Sequence, residues 1–209
     1  MTYVEQAGQR CSACFVEKKG GRMSVFHPIF RFHRIYEIQP EWLREYGISV
    51  LLLDVDNTLT THDNPDVPNE VRSWIERMRA AKIRLMILSN NNQERVEPFA
   101  QKLGIGCIAN AKKPLGDGVR RTREALGVSN GEIAIVGDQI FTDVLCANLA
   151  GVWSVLVEPM ELESFPFFKV KRALERVVLK DYHGDDAGAK AARVRRFYEK
   201  NKVRPGRDV

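Results

Sequence analysis

Ser49-Val50-Leu51-Leu52-Leu53-Asp54-Val55-Asp56-Asn57-Thr58-Leu59-Thr60 is the stretch that decides the fold. Its first half is a near-continuous apolar run, the mark of a strand buried on both faces in a parallel sheet. Its second half turns abruptly polar, with two carboxylates two residues apart. Working outward, strand-like and helix-like segments alternate. Pro68 to Ala81 carries Val71, Trp74, Ile75 and Met78 at helical spacing, with Pro in the first turn. Ile83 to Leu88 reads as a strand and Gln93 to Leu103 as a helix stopped by Gly104. A short strand is expected near Cys107 to Ala109, then a helix from Gly116 to Leu126 closed by Gly127. Glu132 to Val136 is a strong strand, Asp143 to Ala150 a helix, Val152 to Val157 a strand, and Lys169 to Leu179 an amphipathic helix. Alternation of this kind predicts an α/β domain, a Rossmann-like three-layer sandwich with a mostly parallel sheet.

In such sheets a ligand binds beyond the carboxyl ends of the strands, and the polar residues gather there. Asp54 and Asp56 follow the first strand, Ser89-Asn90-Asn91-Asn92 the second, and Gly137-Asp138-Gln139 the strand at Val136, with Thr142-Asp143 just beyond. Lys112-Lys113-Pro114 lies between them. Carboxylates at i and i+2 of a strand point to one side. Like charges so close repel unless a cation joins them. With Asp138 as a third carboxylate, the set suits Mg²⁺, a hard cation that keeps waters and binds substrate phosphate. The Ser89 hydroxyl, helix-start N–H groups and a lysine complete an anion site. Phosphoryl transfer needs this combination of nucleophile, proton donor, divalent cation and positive clamp.

The whole chain is 209 residues, 44% hydrophobic and 28% charged, with a net charge of +5. That length suggests one domain with appendages. The charge is unevenly placed. Residues 187–209 hold eight basic and two acidic side chains, so the preceding 186 residues are close to neutral. No run approaches the ~18 apolar residues of a membrane span, and residues 1–22 lack the apolar core of a secretory signal. Four cysteines are too few for a disulfide scaffold. The expected compartment is the cytoplasm, with peripheral membrane contact allowed. Residues 1–22 read as a disordered extension, with Met23 a candidate start; 23–181 as the catalytic domain; and 182–209 as a flexible basic tail. Cys11 and Cys14 are read as incidental, because a zinc site wants four ligands. Trp74 and Met78 are read as core.

Asp54-Val55-Asp56-Asn57-Thr58, Ser89-Asn90, Lys113-Pro114 and Gly137-Asp138 with Thr142-Asp143 resemble, in order, the four motifs of the haloacid dehalogenase (HAD) phosphatase superfamily. The wording Ser-Asn-Asn-Asn, Ala-Lys-Lys-Pro-Leu-Gly and Gly-Asp-Gln-x-Phe-Thr-Asp-Val is similar to the YqeG-type branch of subfamily IIIA and to mitochondrial phosphatidylglycerophosphate phosphatases. The resemblance covers roughly Pro28 to Asp181.

It implies Asp54 as the nucleophile that forms an aspartyl-phosphate and Asp56 as the general acid, then base. Thr58 would support Asp56 and, with Ser89 and the Asn90 backbone, bind the transferring phosphoryl group. Lys113, directly before proline, would neutralise its charge; a strand-like geometry would point Lys112 away. Asp54, the Asp56 carbonyl and Asp138 would ligate Mg²⁺, with Asp143 behind them on the metal's waters or on the lysine. Dehalogenases of the superfamily lack the second aspartate, which is present here as Asp56.

The gaps Thr60 to Ser89 and Asn91 to Lys112 leave no room for a cap domain, so a capless, open site is expected. An open site favours a phosphate presented on something large, with phosphatidylglycerophosphate foremost. Phe165, Phe167 and Phe168 precede Lys169, Lys171, Arg172, Arg176 and Lys180. Apolar beside basic residues suits an anionic bilayer through 165–180 and the tail. The Phe26 to Tyr36 stretch has the same character, and core packing is the equal alternative. Two other readings stand: a soluble phosphatase for a protein or nucleotide phosphomonoester, and a non-catalytic RNA-associated protein using the tail. Nucleic acid is the least favoured partner.

Overall fold

The structure is a computed structural model that describes residues 24–61, 64, 66–161 and 166–180. The elements run β1 (Phe30–Phe32), α1 (Pro40–Glu45), β2 (Val50–Leu53), α2 (Asn69–Ala80), β3 (Arg84–Leu88), α3 (Gln93–Leu103) and β4 (Gly106–Ile108). There follow α4 (Asp117–Leu126), β5 (Ile133–Gly137), a five-residue π-type turn (Ile140–Val144), α5 (Leu145–Ala150), β6 (Trp153–Val157) and α6 (Pro166–Lys180). The six strands lie in the order β1-β6-β5-β2-β3-β4, and each neighbouring pair is parallel. The chain steps from β2 outward through β3 to β4, then crosses back to β5 on the other side of β2. That reversal of strand order is where α/β sheets open a crevice for ligands.

The alternation of side chains along β2 builds both cores. Leu51 and Leu53 pack with Trp74, Met78 and Val96 on the side of α1, α2 and α3. Val50 and Leu52 pack with Val119, Cys146 and Ala147 on the side of α4 and α5. All four residues of β2 are buried, as the apolar run predicts. The end of α3 illustrates the local signals. Asn92 accepts a hydrogen bond from the Arg95 N–H at 3.1 Å, and Gly104 closes the helix at φ 63°.

Residues before Ile48 depart from the sequence reading. The aromatic stretch supplies edge strand β1 and helix α1, neither expected, and its rings are core. Phe30 and Phe32 are buried, and Phe30 sits 4.6 Å from Trp42, 4.7 Å from Tyr46 and 5.6 Å from Trp153, centroid to centroid. Ile35, Ile38 and Leu43 are also buried, and the Trp74 indole N–H donates to the Ile38 carbonyl at 2.8 Å. An interfacial role for Phe30 and Phe32 is therefore corrected: their apolar surface is spent inside the protein. The helix expected over Asp143 to Ala150 is present; its first two residues belong to the π-type turn, which runs directly into α5 at Leu145.

Val178 and Leu179 of α6 cover a small cluster of Ile140, Val144 and Leu156. Glu175, almost fully buried, accepts a hydrogen bond from the Ile140 N–H at 2.9 Å. The opposite side of α6 exposes Leu174 and Val177 beside Arg176 and Lys180. Among the described residues no helix is long and apolar enough to cross a membrane. Cys11, Cys14, Met23, His62, Phe165 and the basic tail lie outside the described residues.

Candidate active site

Register aligns the strand ends. Leu53 of β2 lies opposite Ile87 of β3 and Val136 of β5, so the residues that follow emerge on one rim. The Asp54 N–H continues the ladder, donating to the Val136 carbonyl at 2.9 Å. On this rim two groups of side chains form, one closed and one open.

Lys113 is the centre of the closed group. Its side chain is 3% exposed, and its Nζ donates to Asp54 Oδ1 and Asp143 Oδ1, each at 2.6 Å. Lys112 is exposed, in a left-handed conformation at φ 56°. Asn90 holds the lysine in place: its Oδ1 accepts from the Lys113 N–H at 2.7 Å, and its Nδ2 donates to the Lys113 carbonyl at 3.0 Å. The π-type turn presents Asp143, whose Oδ2 accepts from the Gln139 N–H at 3.2 Å and the Thr142 hydroxyl at 3.3 Å. Gly137 is needed beneath it, because a methyl group there would overlap the Asp143 carboxylate. π-type turns recur at functional sites for this ability to re-aim a side chain.

Carboxylate oxygens of Asp54, Asp138 and Asp143 all lie within 4.8 Å of one another. Burial pushes the Asp54 carboxyl up to about 6, against the pull of Lys113 and with the push of Asp143. Burial also works against the Lys113 charge, but Asp143 and Asp54 outweigh it and hold the ammonium well above its ordinary range. One lysine thus pairs with two of three clustered carboxylates in a poorly solvated place, where uncompensated charge is costly. The donor set fits a small divalent cation, being all hard oxygen and negative in sum.

Asp56 belongs to the open group. Its side chain is 23% exposed; Arg95 Nη2 lies 3.5 Å from its Oδ1, and Asn91 Nδ2 lies 3.5 Å from its Oδ2. These are contacts at the outer limit of hydrogen bonding. Asn57 turns the chain here at φ 61°, a conformation Asn tolerates. It is pinned to the segment after β6: Met160 N–H donates to its carbonyl at 3.1 Å and Glu161 N–H to its Oδ1 at 3.2 Å. A cleft of about 340 Å³ opens beside Asp56, reaching Ser89, Asn91 and the face of α3. The Ser89 hydroxyl accepts from the Asn91 N–H at 3.2 Å at its base.

The structure therefore brings Asp54, Lys113, Asp138 and Asp143 into one cluster, with Asp56 and Ser89 on the adjoining cleft. The Asn90 side chain braces the Lys113 peptide, so its backbone is the part left for a phosphoryl group. One expectation is modified. The Thr58 hydroxyl is buried and has no hydrogen-bond partner among the described residues, so it does not tether the Asp56 carboxylate. Asn91 and Gly137 stand in the strand-end motifs but had no role assigned from the sequence, and Arg95 lies outside those motifs. The signal for Arg95 was present: it stands in the first turn of α3, one turn beyond the polar strand end.

The family model described as mitochondrial PGP phosphatase matches residues 21–160, most of the chain and all four strand-end motifs. The chain belongs to that family. This member of the PGP phosphatase family is 34% identical over 145 residues to the Bacillus subtilis (strain 168) protein named "Probable phosphatase YqeG", covering 69% of this chain and 84% of that one. It is 28% identical over 151 residues to the Arabidopsis thaliana chloroplastic/mitochondrial phosphatidylglycerophosphate phosphatase 1, covering 67% of this chain and 43% of that one. Among solved structures, an uncharacterized protein from Listeria monocytogenes serotype 4b superposes with a TM-score of 0.47 and 18% identity, covering 64% of this chain and 99% of that one. By its family the chain is a phosphatase, on an α/β, Rossmann-like fold.

Proposed function

We propose that this phosphatase hydrolyses a phosphomonoester through an aspartyl-phosphate on Asp54, and that its substrate is phosphatidylglycerophosphate or a similarly large phosphate ester. The observation that carries the reading is the Lys113 ammonium shared between Asp54 and Asp143, with Asp56 facing an open cleft beside them. Asp54 Oδ attacks phosphorus as the ester P–O bond breaks, and Asp56 gives its proton to the leaving oxygen. Asp56 then takes a proton from water, whose oxygen attacks phosphorus and frees Asp54 with release of inorganic phosphate. Lys113 and the Ser89 hydroxyl, with the Asn90 backbone, hold the equatorial oxygens as negative charge moves onto them. Asp54, the Asp56 carbonyl and Asp138 would hold Mg²⁺, with Asp143 supporting it, and the ion would supply further neutralisation of the phosphoryl oxygens.

Two features support a large substrate. Among the described residues, the segments joining β2 to β3 and β3 to β4 each hold a single helix, which leaves the rim open. The outward side of α6 sets Leu174 and Val177 among basic residues, a surface that suits peripheral contact with an anionic bilayer. Relatives named as phosphatidylglycerophosphate phosphatases point to the same lipid. Pure protein with that lipid in micelles and Mg²⁺ is expected to release phosphate, and to stop on chelation. Turnover confined to nucleotides or phosphopeptides overturns the lipid assignment.

A further inference from the structure

The cleft beside Asp56 extends along one face of α3. Arg95, Phe99 and Lys102 stand at i, i+4 and i+7, so they follow one another down the same side of the helix over about 10 Å. All three line the cleft, together with the apolar Val96 and Pro98. Arg95 comes first, 3.5 Å from Asp56 and 46% exposed at its side chain. Asp56 is the group that touches the leaving oxygen in the proposed reaction, so whatever is attached to that oxygen enters this cleft. The cleft has room for a short polyol and the group beyond it. Its wall next to the reaction is a guanidinium, 46% exposed, whose planar fork of N–H donors matches phosphate oxygens.

We propose that this cleft is a leaving-group subsite that takes a second anion, a phosphate or phosphodiester a few atoms from the scissile bond, and that Arg95 is the residue that reads it. The inference rests on the phosphatase reading above and deepens it by assigning the leaving-group side of the same site. A neutral alcohol would gain nothing from a cation there, whereas a glycerol bearing a second phosphate presents its charge to Arg95.

The experiment compares kcat/KM for three esters with wild type, R95Q and R95K: phosphatidylglycerophosphate in micelles, soluble glycerol bisphosphate, and glycerol 3-phosphate, whose leaving group is neutral. R95Q is expected to lose about 30-fold or more on the two anionic-leaving esters. It loses at least ten-fold less on glycerol 3-phosphate, and R95K restores part of the difference. Dependence on Arg95 with both anionic esters shows that the headgroup alone is read; dependence with the lipid alone shows that the anion must arrive on a lipid. Equal loss on all three esters overturns the proposal, because Arg95 would then act only through Asp56, and so does no loss on any.

If wild type hydrolyses none of the esters, the phosphatase reading falls, and the subsite is judged by binding. Calorimetry with glycerophosphoglycerol, which carries the phosphodiester, is expected to show weaker affinity in R95Q than in wild type or D54N. Absence of binding to wild type, or equal binding to R95Q, overturns the subsite.

Discussion

Asp54 and Asp56 leave the same strand two residues apart, yet they live in different surroundings. Asp54 is walled in by Lys113 and Asp143, and burial dominates its ionisation. Asp56 faces a cleft, with the ends of Asn91 and Arg95 each 3.5 Å from its carboxylate. The difference separates two jobs. A group that must form and break a bond to phosphorus needs fixed geometry and balanced charge, which a closed cluster provides. A group that must meet varied leaving oxygens, and trade protons with water, needs an open approach.

The sharpest way to break this comparison is Asp54→Asn. Steady-state phosphate release is expected to fall by more than about 10⁴-fold; retention of a tenth of wild-type activity removes Asp54 as nucleophile. The same variant tests the cost of burial. The folded pKa of about 6 lies above the ordinary 3.8, so this carboxyl contributes stability below pH 3.8 that is lost as pH rises through about 6. In metal-free protein, the unfolding free energy from urea titration should therefore decline from pH 4 to 7 by an amount on the order of 1–3 kcal/mol, and Asp54→Asn should flatten that decline.

Next in size is Lys113→Met. It leaves Asp54 and Asp143 buried without their shared cation, an expected loss of about 3–5 kcal/mol in urea unfolding at pH 7. By contrast, the partly exposed Arg95–Asp56 contact is worth about 0–1 kcal/mol to the fold. Equal destabilisation by Lys113→Met and Arg95→Gln would show that the closed and open groups do not differ as described.

Asp56→Asn probes the open side through chemistry. An alkyl ester needs its leaving oxygen protonated, whereas a nitrophenyl ester scarcely does. The variant should lose about 10²-fold or more on glycerol 3-phosphate and clearly less on nitrophenyl phosphate. An equal loss on both would count against Asp56 as the acid.

The smallest expected effect lies away from the rim. Glu132 accepts from the Ser129 backbone N–H at 3.0 Å and from its hydroxyl at 2.8 Å, and these bonds, the backbone one first, hold its carboxyl below the usual range. Its stabilisation is complete above pH 4.5 and fades as pH falls below that value. Glu132→Gln should remove about 0.5 kcal/mol or less at pH 7, after solvent screening, and nothing near pH 3. A larger loss would mean that a half-buried cap at the far end of the sheet behaves like the closed cluster.

Much of this was legible in the linear chain. The run Val50–Leu53, flanked by carboxylates, announced a buried parallel strand with chemistry at its end, because a strand buried on both faces has no other way to be written. Helix α3 carried its own cap at Asn92 and its own stop at Gly104. The segment before Ile48 was not legible in the same way. Strand β1 is three residues long and pairs with β6 some 125 positions later, while α1 has only six residues. Neither is long enough for a period to show, and their aromatics could as well have faced a membrane until the packing against Trp153 decided otherwise.

By itself, then, the sequence determined the alternation of strands and helices, the polar residues that end the strands, and the family to which they belong, since these depend on local periodicity and on residue types at short spacing. Tertiary structure alone decided which of those residues meet. Sheet register set Asp54 beside Asp138. A left-handed Lys112 and the Asn90 brace aimed Lys113 inward. The missing side chain of Gly137 let Asp143 come close enough to share the lysine. Distances of 2.6 Å between residues 30 and 59 positions apart are properties of packing, and only the folded chain can state them.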